Sequence, residues 1–190
     1  DGPLAAVARL ALADVHAAAG PAPASGGDGL TVLQPFLHAE IDRDLTFSGR
    51  GDNGGIATLL AQLGDALSAG HAPGGVTRVV TVSRGTHDAC REAPPGPAGP
   101  GHVFDVVPFA GPPVHMADAW PRRVAAERGL RRVLRRAGPV DVLHLRMADV
   151  GSMAAAAVAA ELGIPWVLTM APDPHALVAA RERAGTLTRD

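Results

Sequence analysis

The sequence predicts an α/β protein, a Rossmann-like three-layer sandwich with a mostly parallel sheet, and two patterns support this prediction. Apolar runs of strand length alternate with helical patterns in the order β-α-β-β-α-β-α-β. The strand-length runs are apolar throughout, which is typical of parallel strands that helices cover on both faces. Together the two patterns predict a doubly wound sheet.

Glycine and proline mark the turns between these elements. The predicted strands cover residues 30–37, 76–83, 102–108, 140–145 and 164–169, and the predicted helices cover residues 54–70, 119–137, 151–162 and 175–183. We expect residues 84–101 to form an exposed, mobile loop, because their proline-rich centre suits neither a helix nor a central strand. The predicted organisation is an N-terminal helix and loop over residues 1–29, followed by one Rossmann-like domain over residues 30–190.

Length, charge and composition exclude several classes of protein. The chain has 190 residues, a formal net charge of -2 and 47% hydrophobic residues, which fits one ordinary globular domain and not a basic nucleic-acid binder. A single cysteine cannot form an internal disulfide, so we expect a reducing, cytoplasmic location. No run of about 18 apolar residues predicts a membrane span. Because the chain begins with Asp1 and not with methionine, we expect a trimmed product.

All 17 basic residues are arginines, and seven of them lie in the predicted helix over residues 119–137, where Glu127 is the single acid. We expect the buried stripe of this helix to consist of its apolar residues Val124, Leu130, Val133 and Leu134. The arginines would then form a broad basic outer face. Such a face is usually solvated, and the alternative is that it binds an acidic partner or a phosphorylated ligand.

Ligands of doubly wound sheets bind beyond the carboxyl ends of the strands, so we expect the chemistry in the loops after Leu37, Ser83, Leu145 and Thr169. The first candidate, residues 51–55 with the sequence Gly-Asp-Asn-Gly-Gly, opens the first long helix. Its glycines let a ligand approach the backbone, and free amides at a helix start favour an anion such as phosphate. A tight, capped turn is the alternative interpretation. The segment matches neither G-x-G-x-x-G nor a P-loop.

Two further clusters follow predicted strands. His144, Arg146 and Asp149 could converge on a sugar hydroxyl or a phosphate. The alternative is a histidine buried against the sheet beside an ion pair of Arg146 with Asp149. Asp173 and His175, in a loop fixed by two prolines, could face the same cleft or could simply begin a helix.

Metal, cofactor and hydrolase sites are not predicted. His87 and Cys90 lie close in sequence and not far from His102, but no second ligand pair has zinc-site spacing. The absence of a G-x-S-x-G segment counts against an α/β hydrolase.

Three segments resemble the N-terminal half of GT-B glycosyltransferases of the retaining, sucrose-phosphate-synthase-like kind, glycosyltransferase family four. Asp52-Asn53-Gly54-Gly55-Ile56 resembles the D-T-G-G-Q loop of that family. Residues 140–151, VDVLHLRMADVG, resemble its D-V-I-H-A-H-Y-A-D-A-G segment. Residues 161–169, ELGIPWVLT, resemble its L-G-V-P-x-V-x-T strand. The order and spacing of the three segments make the resemblance more specific than any one of them.

The resemblance implies an acceptor-side domain of a retaining enzyme that moves a hexose from a nucleoside diphosphate sugar to a hydroxyl acceptor. It implicates Gly54 and Gly55 in donor phosphate and sugar binding, and His144 and Asp149 in the acceptor pocket. Beside them we expect donor binding by Asn53, catalysis by His144 and His175, and acceptor binding by Arg84, Arg146, Asp149 and Asp173. The chain also departs from the family. Arg146 replaces the second histidine of H-x-H, and Met170-Ala171-Pro172 replaces G-H-S. Either His175 substitutes for the histidine of that loop, or the loop serves another acceptor.

In that family the donor binds chiefly to a second, C-terminal Rossmann-like domain, and nothing after Thr169 resembles it. We therefore expect the C-terminal GT-B domain to be a partner that this domain needs for activity. We expect no cofactor. The alternative function is a non-catalytic Rossmann-like module that binds a phosphorylated ligand or an acidic partner.

Overall fold

The structure, a computed structural model, describes residues 29–47, 54–70, 75–86, 101–170 and 173–187, together with helical residues 5, 8, 9 and 12. Its strands are β1 (Leu30–Phe36), β2 (Val76–Gly85), β3 (Gly101–Pro108), β4 (Val142–Arg146) and β5 (Trp166–Thr169). Its helices are α1 (Gly54–Ser68), α2 (Arg123–Ala137), α3 (Val150–Leu162) and α4 (Pro174–Arg183). Among the described helices none is long and apolar enough to cross a membrane. Most of the expected N-terminal helix and of the expected loop over residues 84–101 lies outside the described residues.

The five strands form one all-parallel sheet in the order β3-β2-β1-β4-β5. In the central strand β1, Val32 pairs with Val79 of β2 and with Val142 of β4. Helices pack on both faces of this sheet, so the predicted α/β fold, a Rossmann-like three-layer sandwich, is confirmed. The chain places β2 and β3 on one side of β1 and then β4 and β5 on the other. The strand order therefore reverses between β1 and β4.

Most element boundaries differ from the predicted ones by one or two residues, and two of the differences bear on the site. β2 continues to Gly85, so Arg84 lies inside a buried strand and the expected loop cannot begin there. The strand is longer because β3 pairs with it as far as its end, where Arg84 is in register with Val107. The helix expected from residue 119 starts as a 3-10 turn at Trp120–Arg122, which contains a proline, and α2 begins at Arg123.

The larger hydrophobic core lies between the sheet and helices α2 and α3. Leu33, Val82 and Leu143, from three neighbouring strands, are fully buried in it. They belong to the same cluster as Leu130 of α2 and Val158 of α3. The remaining fully buried residues that α3 contributes are alanines, which let its backbone lie close to the sheet. Burial of each large aliphatic side chain stabilises the fold by roughly 1.5–3 kcal/mol.

A chain of buried polar side chains lies beneath α1, on the other face of the sheet. Gln34 Nε2 donates to the Leu60 carbonyl at 2.8 Å and to Thr81 Oγ1 at 2.7 Å. Thr81 Oγ1 lies 2.6 Å from His102 Nε2, and His102 Nδ1 lies 2.8 Å from Asp65 Oδ1. A carboxylate can only accept a hydrogen bond, so His102 carries a proton on Nδ1. Thr81 already accepts from Gln34, so its hydroxyl donates to the unprotonated Nε2.

Several arginines of α2 bind other parts of the protein. Arg131 forms a two-pronged ion pair with Glu161 of α3, with Nε and Nη2 at 2.9 and 2.7 Å from Oε2. Arg136 forms an ion pair with Asp105 of β3. Arg132 is 5% exposed, and its Nη2 donates to a backbone carbonyl of β3. The prediction of a broad basic outer face is wrong at these positions, because they tie α2 to its neighbours.

The buried stripe of α2 is also partly different from the predicted one. Leu130, Val133 and Leu134 are buried as expected, whereas Val124 is 75% exposed. Val124 lies in the first turn of α2, and Ala126 is the first residue of that helix to enter the core. The prediction for Val124 is therefore wrong, because with 3.6 residues per turn Val124 lies on the side of α2 opposite to Ala126, Leu130 and Val133, which face the core.

β5 is an edge strand whose side chains are all exposed. Trp166 is 47% exposed and Val167 is 56% exposed, and the following helix α4 also leaves Leu177 and Val178 exposed. Within the described residues, helices therefore cover β1 to β4 and do not cover β5. The expectation that every strand is buried on both faces fails at this edge.

Gly64 of α1 packs directly against the imidazole of His102, and a Cβ at this position would overlap the ring. We expect Gly64→Ala to lower the free energy of unfolding by about 1–3 kcal/mol, although alanine is the better helix former. The matched control is Gly55→Ala in the same helix, where an added Cβ meets no atom within 4 Å. Chemical denaturation measures both variants. If Gly64→Ala were as stable as the wild type or more stable, that result would contradict this packing.

Burial lowers the pKa of His102, more than its hydrogen bond to Asp65 raises it. The folded protein then binds fewer protons than the unfolded chain, so stability is lost as the pH falls below about 6.5, the pKa of an unfolded histidine. We expect the free energy of unfolding of the wild type to fall between pH 7 and pH 5. The free energy of unfolding of His102→Gln should depend less steeply on pH than that of the wild type. An equal pH dependence of the two proteins, measured by urea denaturation, would contradict this account.

Candidate functional site

A cleft opens at the carboxyl edge of the sheet, where the strand order reverses. Its walls come from residues at or beyond the ends of β1, β2 and β3 and from the starts of α2 and α3, namely Leu37, His38, Arg84, Phe109, Pro113, Val114, Ala119, Arg122, Ala126, Val150 and Gly151. Its volume, including the open mouth, is about 370 Å³.

Arg84 is the most buried charged residue of the cleft, with 3% of its surface exposed. Its Nη2 donates to the Gly111 carbonyl at 2.9 Å, while Nε and Nη1 are buried without a hydrogen-bond partner. Burial lowers the pKa of Arg84, the field of Glu40 raises it, and the neighbouring Arg122 lowers it. Within the described part of the chain no carboxylate lies at ion-pair distance from this guanidinium. Arg84 is therefore a buried cation whose donors are only partly satisfied.

The loop after β3 brings a second guanidinium to the cleft. Arg122 Nη2 donates to the Pro112 carbonyl at 2.8 Å, next to the carbonyl that Arg84 binds. The Arg122 guanidinium also lies over the Phe109 ring, 5.9 Å from its centroid. Gly111 has a φ of +74°, a conformation that glycine adopts without strain. The loop thus holds two arginines at one end of the cleft.

His38, beyond the end of β1, contacts Asp149, beyond the end of β4. His38 Nε2 lies 2.9 Å from Asp149 Oδ2, and the side chains of the two residues are 13% and 2% exposed. Asp149 is also the N-cap of α3, since its Oδ1 accepts from the Ser152 amide at 2.5 Å. The expected alternative, an ion pair of Asp149 with Arg146, is wrong because this carboxylate is bound by His38 and by the helix start.

His144 and Arg146 end β4, as predicted, and the charge of Arg146 acts on His144. His144 Nε2 lies 2.8 Å from Thr169 Oγ1 at the end of β5. Burial lowers the pKa of His144, and the neighbouring Arg146 lowers it further. Arg146 is half-buried, and its Nε has no hydrogen-bond partner. Met147 follows with a φ of +65°, which is strained for a residue other than glycine.

The other predicted site residues fall at three places. Gly54 and Gly55 begin α1, which follows β1 and therefore starts at the same edge of the sheet. Asn53 lies outside the described residues. Asp173 is the N-cap of α4, with its Oδ1 accepting from the His175 amide at 2.9 Å, and both residues are exposed. Neither Asp173 nor His175 lies in the wall of the cleft.

Two cleft residues were not predicted from the sequence, His38 and Arg122. His38 is the first residue of a loop in which chemistry was expected, after Leu37, so its position was a usable signal. Arg122 was counted among the arginines of a helix, and its proximity to Arg84 depends on a fold of the loop between them. Within the described residues no group of histidine, cysteine, aspartate or glutamate side chains could hold a metal ion. His87 and Cys90 lie outside that part of the chain, and His102 belongs to the buried chain beneath α1.

Comparison of the chain with protein-family models, with curated proteins and with solved structures found no match. The resemblance to family-four glycosyltransferases therefore stays a prediction from the three sequence segments.

Asp149 joins a helix cap to an ion pair, and two substitutions separate these roles. Asp149→Ala is expected to lower the free energy of unfolding by about 1–2 kcal/mol, because the Ser152 amide loses its acceptor. Asp149→Asn keeps a side-chain oxygen for that amide and removes the charge near His38, so it should cost less than half as much. Urea denaturation measures both. An equal loss in the two variants would show that the ion pair with His38, and not the cap, stabilises this corner.

Proposed function

We propose that this chain is the acceptor-side domain of a retaining glycosyltransferase, which moves a hexose from a nucleoside diphosphate sugar to a hydroxyl acceptor. The observation that supports this proposal most directly is the cleft at the reversal of strand order, whose walls include the polar side chains of His38 and Arg84 from two strand ends. This is the position at which doubly wound sheets bind ligands. The three segments that resemble the glycosyltransferase family also end or begin at this edge of the sheet.

The donor diphosphate would bind at the start of α1. The first amides of a helix have no partner within the helix, and they carry the positive end of its dipole. At Gly55 an added Cβ would meet no atom within 4 Å, so the backbone is open to a ligand. These amides would stabilise the negative charge that grows on the leaving phosphate oxygen as the bond to the sugar breaks. The acceptor oxygen forms the new bond to the anomeric carbon, and its proton leaves with the nucleoside diphosphate.

The acceptor hydroxyl would bind near His144. The lowered pKa keeps this imidazole neutral at pH 7, so it positions a hydroxyl by hydrogen bonding. Thr169 Oγ1 fixes the ring from the neighbouring strand, which orders the side chain before the acceptor arrives.

The test is nucleotide-sugar turnover by the full-length protein, measured as released nucleoside diphosphate. We expect Gly55→Val to reduce the rate by roughly 100-fold or more, because the branched side chain blocks access to preorganised amides. The structure leaves room for this side chain, so folding should be unaffected. The matched control is Ala125→Val, which adds the same branched side chain at an exposed position of α2 and should leave the rate unchanged.

Two outcomes would overturn the proposal. One is the absence of turnover with uridine, guanosine and adenosine diphosphate sugars. The other is an equal rate for Gly55→Val and Ala125→Val. Binding of a phosphorylated ligand without any turnover would instead favour the non-catalytic Rossmann-like module.

A further inference from the structure

Within the described residues, no carboxylate forms an ion pair with the buried guanidinium of Arg84. Two of its three nitrogens, Nε and Nη1, are buried without a hydrogen-bond partner, and the third binds a neutral carbonyl. Burying a charge is costly unless it is paired and hydrogen-bonded. Glu40 is the carboxylate whose field acts on Arg84, but it does not form an ion pair with it. A negative group from outside the described residues would therefore gain the full strength of a charge-assisted hydrogen bond here.

A second cation faces the same place. Arg122 lines the cleft with Arg84, and the two guanidiniums bind the adjacent carbonyls of Pro112 and Gly111. Two neighbouring cations repel each other, and Arg122 accordingly acts on Arg84 as an unfavourable charge. An anion between them converts this repulsion into two attractive contacts. Arginine suits such a role because its planar donors match the oxygens of a phosphate or a carboxylate.

The remaining walls agree with an anionic ligand. The first turn of α3, at Val150 and Gly151, forms part of the cleft, and the start of a helix favours negative charge. The carboxylate of Asp149, the nearest one in that turn, is 2% exposed and is bound by His38 and by the Ser152 amide. With 2% of its side chain exposed, this carboxylate is nearly inaccessible from the cleft. Apart from His38, the other walls are apolar.

We infer that this cleft is a binding site for an oxyanion group of a small ligand, a phosphate or a carboxylate, held between Arg84 and Arg122. The anion completes the hydrogen bonding of Arg84 and supplies the charge that the described residues do not. This inference goes beyond the proposed function, because the anion binds here whether or not a sugar is transferred.

The experiment is a titration of the full chain with inorganic phosphate and, separately, with acetate at constant ionic strength, followed by calorimetry. Saturable binding of either anion supports the site, and the tighter of the two identifies the group that the ligand carries. Arg84→Gln and Arg122→Gln are each expected to weaken that binding about tenfold or more, since each removes a charged donor. Arg122 is half-buried, so its variant tests the site even if Arg84→Gln does not fold.

The matched control is Arg135→Gln, which removes the same charge from an exposed position at the far end of α2. It should bind the anion as the wild type does, and an equal loss in all three variants would reveal non-specific attraction and overturn the site. Absence of saturable binding to both anions would also overturn it. Anion binding without nucleotide-sugar turnover would leave this site standing and remove the glycosyltransferase proposal, whereas turnover without anion binding would do the reverse.

Discussion

The pairing of β1 with both β2 and β4 is the constraint on which the rest of the molecule depends. Because the chain completes one side of the sheet before it starts the other, the connections at the two sides diverge from the carboxyl edge. A cleft forms where they part, between the end of β1 and the start of α3. Every strand is parallel, so the polar residues that end the strands meet at this one edge. The position of the site thus depends on the topology of the sheet and not on any single side chain.

The two faces of the sheet bury different kinds of side chain. Towards α2 and α3 the contact is aliphatic, and each residue contributes through the area it removes from water. Towards α1 the sheet buries Gln34, Thr81 and His102, whose hydrogen bonds run in one direction to a carboxylate at the surface. Among the described residues Arg84 departs furthest from this pattern, since two of its donors have no partner. In the chain beneath α1 only Gln34 Oε1 lacks one, and this difference is a reason to infer that Arg84 binds a ligand.

Much of the site could be predicted as a set of loops, but not as a set of side chains. The rule that parallel sheets bind ligands beyond their carboxyl ends correctly selected the segments after β1, β2 and β4. It could not show that His38 reaches Asp149, because 111 positions along the chain separate them and only the packing of α3 against β1 brings them together. It also could not pair Arg84 with Arg122, since their proximity depends on the loop after β3 folding back over the sheet.

The sequence by itself determined the α/β class, the order of the elements and most of their bounds, because these follow from the local periodicity of apolar residues and from turns at glycine and proline. Tertiary structure decided which charges stay free. Seven arginines on one predicted helix suggested a basic surface, but Arg131 and Arg136 bind Glu161 and Asp105, which are distant in sequence. Helix periodicity records which residues share a face. It does not record what the neighbouring elements place opposite that face, and a charge becomes free or paired only when the elements pack.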